Sequence, residues 1–157
     1  VTVIEETWSY SLILGAEAEM KLAELLTIAG FTVTPYMDGK QKEADLIVNT
    51  TLVEVKRDLM GDQTGNFAIE YAFRKRKSGI AATQADIFVI ASDKFYCFRT
   101  RELRDWLRAN WSYLRKTKGG DSLESYMVLP RQEDVKKLAR CIIDQEGQGS
   151  DQFLDCA

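Results

Sequence analysis

The chain contains no histidine among its 157 residues. That absence removes imidazole acid–base catalysis and every histidine-ligated metal centre. Any reaction here must therefore run on carboxylates, lysine, hydroxyls, thiols or a bound ion. Cysteine is scarce: Cys97, Cys141 and Cys156 are odd in number and far apart. This spacing matches neither a disulfide framework nor the close pairs of a zinc site. No run of about 18 apolar residues occurs, so no membrane span is expected. The opening residues Val1 to Glu6 lack the basic flank of a secretory signal, and a cytoplasmic, non-secreted protein is the expectation.

What is present is an ordinary globular composition, 45% hydrophobic and 29% charged, in a length that suits one domain with a buried core. We expect that domain to cover residues 1–143, with residues 144–157 as a polar, flexible C-terminal tail. The net charge of -3 hides a strong segregation. Residues 51–120 hold fourteen bases against eight acids, while residues 1–50 and 121–157 are both acidic. The central bases fall in clusters: Lys56-Arg57, Arg74-Lys75-Arg76-Lys77, the series Arg99, Arg101, Arg104 and Arg108, and Arg115-Lys116-Thr117-Lys118. Such a cluster supplies phosphate contacts without making the whole protein basic; a merely solvated basic face is the competing explanation.

The hydrophobic pattern predicts a helix over residues 7–29, its apolar face carrying Leu22, Leu25, Leu26 and Ala29 and its end marked by Gly30. Residues 31–34 read as a strand and residues 37–42 as a turn. A hairpin follows, with strands 44–48 and 51–56 joined by Asn49-Thr50. Strands are expected again at 66–73, 86–91, 94–99 and 126–129, and a short helical turn at 80–85. Helices are expected over 100–115 and 131–143. Trp106 and Trp111 fall on the apolar stripe of the first of these, which favours core packing over base stacking. Tyr36, near the hairpin, is a weaker stacking candidate.

The chemistry concentrates on that hairpin. Side chains alternate along a strand, so Leu52, Glu54 and Lys56 share one face while Val53 and Val55 share the other. Asp45, on the adjoining strand, is placed to meet Glu54. Two carboxylates held together repel unless a cation sits between them, and magnesium prefers oxygen ligands while keeping several waters. A carbonyl such as that of Val55 is a natural extra ligand. An ion so held activates water and offsets charge developing on a phosphate, and Lys56 can orient that water or neutralise the charge. For an isolated E-x-K, an exposed charge pair is the ordinary alternative.

The pattern Ala44-Asp45-Leu46-Ile47-Val48 followed by Leu52-Val53-Glu54-Val55-Lys56 resembles the signature of the PD-(D/E)XK nuclease superfamily. The helix from Glu19 to Gly30-Phe31 is similar to the first helix of archaeal Holliday-junction resolvases and related phage endonucleases. The resemblance covers roughly residues 15–100. It implies an α/β fold, a restriction-endonuclease-like αβββαβ core with a central mixed sheet flanked by helices. It implies a Mg²⁺-dependent DNA endonuclease, with Mn²⁺ able to substitute, in a bacterial, archaeal or phage-infected cell, and a homodimer if it is a resolvase. Single-strand or flap cleavage, or a silent nucleic-acid-binding module on the same fold, are the alternatives. The metal set it implies is Asp45, Glu54, the Val55 carbonyl and Glu19, with Glu17 as the fallback helix acid. The segments around Glu70, Ser78, Thr83 and Gln84 also resemble phage-type members, which makes Glu70 an auxiliary acid and Ser78 and Gln84 phosphate-binding candidates. Arg74, Lys75, Arg76 and Lys77 are the expected backbone-phosphate contacts. The chain departs from the pattern at Ala44, where the superfamily often has proline.

Overall fold

Helix α1 (Val3–Ile28) is held down by Ala18, Leu22, Leu25 and Leu26, spaced to lie on one face and all buried. It stops in a Schellman arrangement: Gly30, at φ +102, donates to the Thr27 carbonyl and Phe31 donates to that of Leu26. The computed structural model describes residues 3–36, 44–58, 61–119 and 124–157; the turn expected at 37–42 lies outside them.

Beneath α1 lies a six-stranded mixed sheet in the order β1-β2-β3-β6-β7-β10. Its strands are β1 (Val33–Pro35), β2 (Leu46–Val48), β3 (Thr51–Arg57), β6 (Ile87–Ala91), β7 (Phe95–Arg99) and β10 (Cys141–Ile143). All neighbours are antiparallel except β3 and β6, whose parallel register pairs Val53 with Ile87 and Arg57 with Ala91. The architecture is thus α/β with a mixed central sheet and flanking helices. Every residue of β6 is buried, as a strand covered on both faces requires.

The crossover from β3 to β6 carries a second sheet instead of a long helix. It contains the four-residue α2 (Gly61–Thr64), β4 (Ile69–Phe73), β5 (Arg76–Lys77) and a 3₁₀ turn at Gly79–Ala81. With β8 (Lys116–Gly119) and β9 (Ser125–Val128) these strands form a four-stranded antiparallel sheet in the order β5-β4-β9-β8. Two apolar clusters result. One joins α1 to Val53, Val55, Ile87 and Val89; the other joins Phe88, Ile90 and Phe98 to Phe67, Ile69 and Val128 of the second sheet's surroundings. Leu103 and Leu107 of α3 (Thr100–Ala109) close the second cluster, with Trp106 and Trp111 packed against it.

Three expectations fail, each for a tertiary reason. The helix predicted over 100–115 ends at Ala109, because residues 116–119 are drawn into pairing with β9. The helix predicted over 131–143 is only α4 (Gln132–Lys136). Beyond it Cys141, Ile142 and Ile143 extend the large sheet against β7, where β-branched side chains pack well. The expected flexible tail 144–157 is instead packed: a 3₁₀ segment, Ser150–Cys156, places Phe153 and Cys156 in the first core at 0% exposure. The three cysteines, distant in sequence, meet there. Cys97 lies opposite Cys141 across β7 and β10, and the Cys156 thiol points to the Cys97 carbonyl at 3.7 Å. Burial pushes the Cys97 thiol well above its ordinary pKa.

Because Phe153 is fully buried, Phe153→Ala should lower the unfolding free energy by about 3–5 kcal/mol. Urea denaturation with an unchanged slope checks this; an unmoved midpoint would mean that the segment contributes nothing to the core.

Candidate active site

The β2–β3 hairpin turns at Asn49, whose φ of 55 places it in the left-handed region that asparagine tolerates. Asn49 also braces the outer strand, since its Oδ1 accepts from the Thr32 amide at 3.0 Å while its own amide donates to the Thr32 carbonyl at 2.7 Å. The register then pairs Val48 with Thr51 and Leu46 with Val53. Asp45 sits one step beyond the last pair and is buried, at 7% exposure. Its Oδ2 accepts the Val55 amide at 2.7 Å, and its amide donates to the Val53 carbonyl at 2.9 Å. Asp45 is thereby fixed at the flank of Glu54.

Val53 and Val55 face α1, so Glu54 and Lys56 face the other way, beside their neighbours Phe88 and Ile90 on β6. The Lys56 ammonium stands 3.5 Å from the Glu54 carboxylate, with the Glu54 side chain 14% exposed and that of Lys56 51% exposed. The second carboxylate oxygen of Glu54, Oε2, is buried without a hydrogen-bond partner. A buried carboxylate oxygen in that state is costly unless a cation serves it.

Next to Lys56 opens a cavity of about 190 Å³, walled by Asp58, Glu70, Gly79, Phe88, Ile90 and Met127. Glu70 reaches it from β4, at a bulge in the pairing with β9, a common way to re-aim a side chain. Ser78 donates to Glu70 Oε1 at 2.6 Å, so this proposed phosphate contact is tied to the auxiliary acid. Gly79 makes the close approach feasible. At φ +51 it lies where a Cβ would stand 2.1 Å from the Glu70 carbonyl oxygen. Asp58 went unnoticed in the sequence, although it extends the Glu54–Lys56 alternation by one further step; its Oδ2 accepts the Ala68 amide at 2.9 Å.

The helix acids fall on α1. Glu19 is half-buried next to the core position Ala18, and exposed Glu17 lines a separate depression with Lys21, Arg57 and Ser92. Among the described residues no three Asp, Glu or Cys side chains stand close enough to share one ion. The three-carboxylate set implied by the resemblance is therefore not assembled, and Asp45 and Glu54 remain the pair that the hairpin brings together. They fit a weakly caged, largely hydrated ion such as Mg²⁺, which commonly takes one or two carboxylates and retains waters.

The basic run forms the turn and the second strand of the β4–β5 hairpin. Phe73 pairs with Arg76, and the two turn residues Arg74 and Lys75 have φ of 48 and 66. A two-residue turn with both φ positive favours Asn and Gly. Holding Arg and Lys there costs about 1 kcal/mol or more for each residue. Arg74 is anchored by Glu124 at 2.8 Å, while Lys75, Arg76 and Lys77 are exposed. Gln84 is exposed beyond the 3₁₀ turn, and Asp86 immediately precedes β6 with its amide on the Leu52 carbonyl. Comparison of the chain with family models, with curated proteins and with solved structures returned no match.

Strain at a charged turn is the mark of a position selected for something other than stability. Lys75→Gly should raise the unfolding free energy by about 1 kcal/mol, which calorimetry checks. Gly79→Ala should cost at least about 1–2 kcal/mol, read as a lower thermal midpoint.

Proposed function

We propose that the chain is a divalent-metal-dependent nuclease of the PD-(D/E)XK kind that hydrolyses phosphodiester bonds in DNA. The observation that carries this reading is the Glu54 carboxylate. One oxygen is buried and unpartnered, Lys56 stands 3.5 Å away, and Asp45 is pinned beside it through the Val55 amide. The order of elements supports it. A helix and three antiparallel strands precede a crossover and a strand parallel to the third, all in one mixed sheet. The departure is the crossover, where an αβββαβ core would carry a helix and this chain carries β4 and β5.

Asp45 and Glu54 would hold the ion, with the Val55 carbonyl as the additional oxygen donor, and this leaves Glu19 outside the ligand set. When bound, the ion supplies an activated water and offsets negative charge at the phosphate. Lys56 places its ammonium against the non-bridging oxygens, where charge grows as water attacks phosphorus and the bond to the leaving oxygen breaks. Glu70, held by Ser78 across the cavity, faces the same space and positions water from the opposite wall. The Arg74–Lys77 hairpin binds the backbone without reading sequence.

The test is cleavage of branched, single-stranded and duplex DNA by purified protein with Mg²⁺ or Mn²⁺. Asp45→Asn, Glu54→Gln and Lys56→Ala should each lower the rate by about 100-fold or more, and Glu19→Gln by less than about tenfold. The assignment is wrong if the first three cut as fast as the parent. Binding with no cutting by the parent would identify the silent module instead, and the preferred DNA shape names the substrate.

A further inference from the structure

A second open depression, of about 620 Å³, lies at the start of α3. Its wall includes Gln84, Asp86, Arg99, Thr100, Arg101 and Arg104, three cations against one acid. The N-cap residue Arg99 makes no side-chain capping bond to this ten-residue helix; the Thr100 amide is taken by the Asp86 carbonyl at 3.0 Å, which leaves the pull of the helix start on an anion to the next amides of the turn. Thr100 is 4% exposed, and its Oγ1 has no partner; the Arg99 Nε is likewise buried and unpartnered. Arg104 shapes the wall by donating to the Ile80 and Thr83 carbonyls at 3.0 Å each. Arg99 is engaged with Glu102 at 3.3 Å and with the Ala157 carbonyl at 3.1 Å. Arg101 and Gln84 are exposed at the rim.

The place of this depression in the sheet gives it meaning. The Asp86 amide bonds to the Leu52 carbonyl, two residues before Glu54 on β3, a step of roughly 7 Å along a strand. The 3₁₀ turn bridges the two spaces, with Gly79 on the cavity beside Lys56 and Ala81 on this depression. On the other side of Gly79, Arg74, Arg76, Lys77 and Ser78 line a further open depression. One continuous segment, residues 73–86, thus passes a basic hairpin, the cavity beside Lys56 and the α3 pocket in succession.

We infer that the pocket at the start of α3 binds a backbone phosphate of the nucleic-acid strand close to the bond being cut, with Arg101 and Gln84 as its rim contacts. The inference rests on the nuclease reading and extends it by naming where the strand continues beyond Glu54. Arg101 supplies the counter-charge, the helix turn beyond the Thr100 amide supplies donors, and Gln84 supplies a neutral donor.

The experiment is fluorescence anisotropy with a 5′-labelled duplex and a 5′-labelled single strand, in an Asp45→Asn background so that binding is read apart from cutting. Losing one phosphate contact should lower the slope of log K against log salt by about 0.9 on duplex or about 0.7 on single strand. Extrapolated from 1 M, that is about eightfold weaker duplex binding at 0.1 M salt. Arg101→Ala should show this loss and Arg101→Lys should recover most of it. Arg108→Ala, on the same helix but paired with Asp105 and away from the pocket, should change neither. Gln84→Ala should weaken binding about two- to tenfold with the slope intact, as befits an uncharged donor. Equal effects of Arg101→Ala and Arg108→Ala, or an unchanged slope for Arg101→Ala, would overturn the pocket. The two proposals separate cleanly. Metal-dependent cutting with no Arg101 effect removes the pocket and keeps the nuclease, whereas an Arg101 slope change without any cutting by the parent keeps the phosphate site and removes the nuclease.

Discussion

The parallel pairing of Val53–Arg57 with Ile87–Ala91 is the constraint from which the rest of the structure follows. Antiparallel neighbours can be joined by two residues, but parallel neighbours need a crossover of a dozen or more. Here that crossover is residues 58–86. A strand as apolar as β6 also needs cover on both faces. On one side α1 supplies it through Leu22, Leu25 and Leu26; on the other the crossover itself supplies it through Phe67 and Ile69, joined by Leu103 and Leu107 of α3. Each such side chain, fully buried, is worth about 1.5–3 kcal/mol. The crossover is therefore a structural necessity, and it brings Glu70, the basic hairpin and the 3₁₀ turn to the same side of the sheet as Glu54 and Lys56.

Alternation along β3 does the remaining work. The residues that send valine towards α1 send an acid and a lysine towards the returning crossover. One strand thus separates a dry face from a charged one, and the site needs no special backbone on β3 itself. In the crossover, left-handed backbone falls at Gly65, Arg74, Lys75 and Gly79.

What was legible in the sequence was local. The spacing of Leu22, Leu25 and Leu26 with Gly30 announced α1, Asn49-Thr50 between two short apolar runs announced the hairpin, and the unbroken run 87–91 announced a buried strand. Asp45, Glu54 and Lys56 were readable because the period of two is itself local. The second sheet was not readable as a sheet: Lys116–Gly119 is polar and exposed, and only its pairing with Ser125–Val128 makes it a strand. The same holds for β10, where a helical pattern yields to an edge of the large sheet. The cysteine cluster and the α3 pocket are assembled from segments tens of residues apart, so no spacing rule exposes them. The final residues misled for a different reason. Their polar composition suggested fraying, yet Phe153 and Cys156 suffice to anchor the segment.

The local costs of this fold are unevenly distributed, and their distribution argues for function. Two turn residues sit in left-handed backbone without being Gly or Asn, a glycine is demanded by contact with Glu70, and Glu54 keeps a buried oxygen unserved. An unsatisfied buried acceptor alone costs about 1–3 kcal/mol. A sequence selected only for stability would relieve the turn with Asn or Gly at Arg74 and Lys75, and the buried oxygen with an apolar residue in place of Glu54. The strained turn and the unserved Glu54 oxygen lie along β3 and the crossover, between the two apolar cores, while other unpartnered buried atoms stand at Arg99, Thr100 and Gln132. Natural sequences break their own local rules mainly where function demands it. On that ground we place the proposed chemistry on the Glu54 side of the sheet, where the buried carboxylate oxygen lacks a partner.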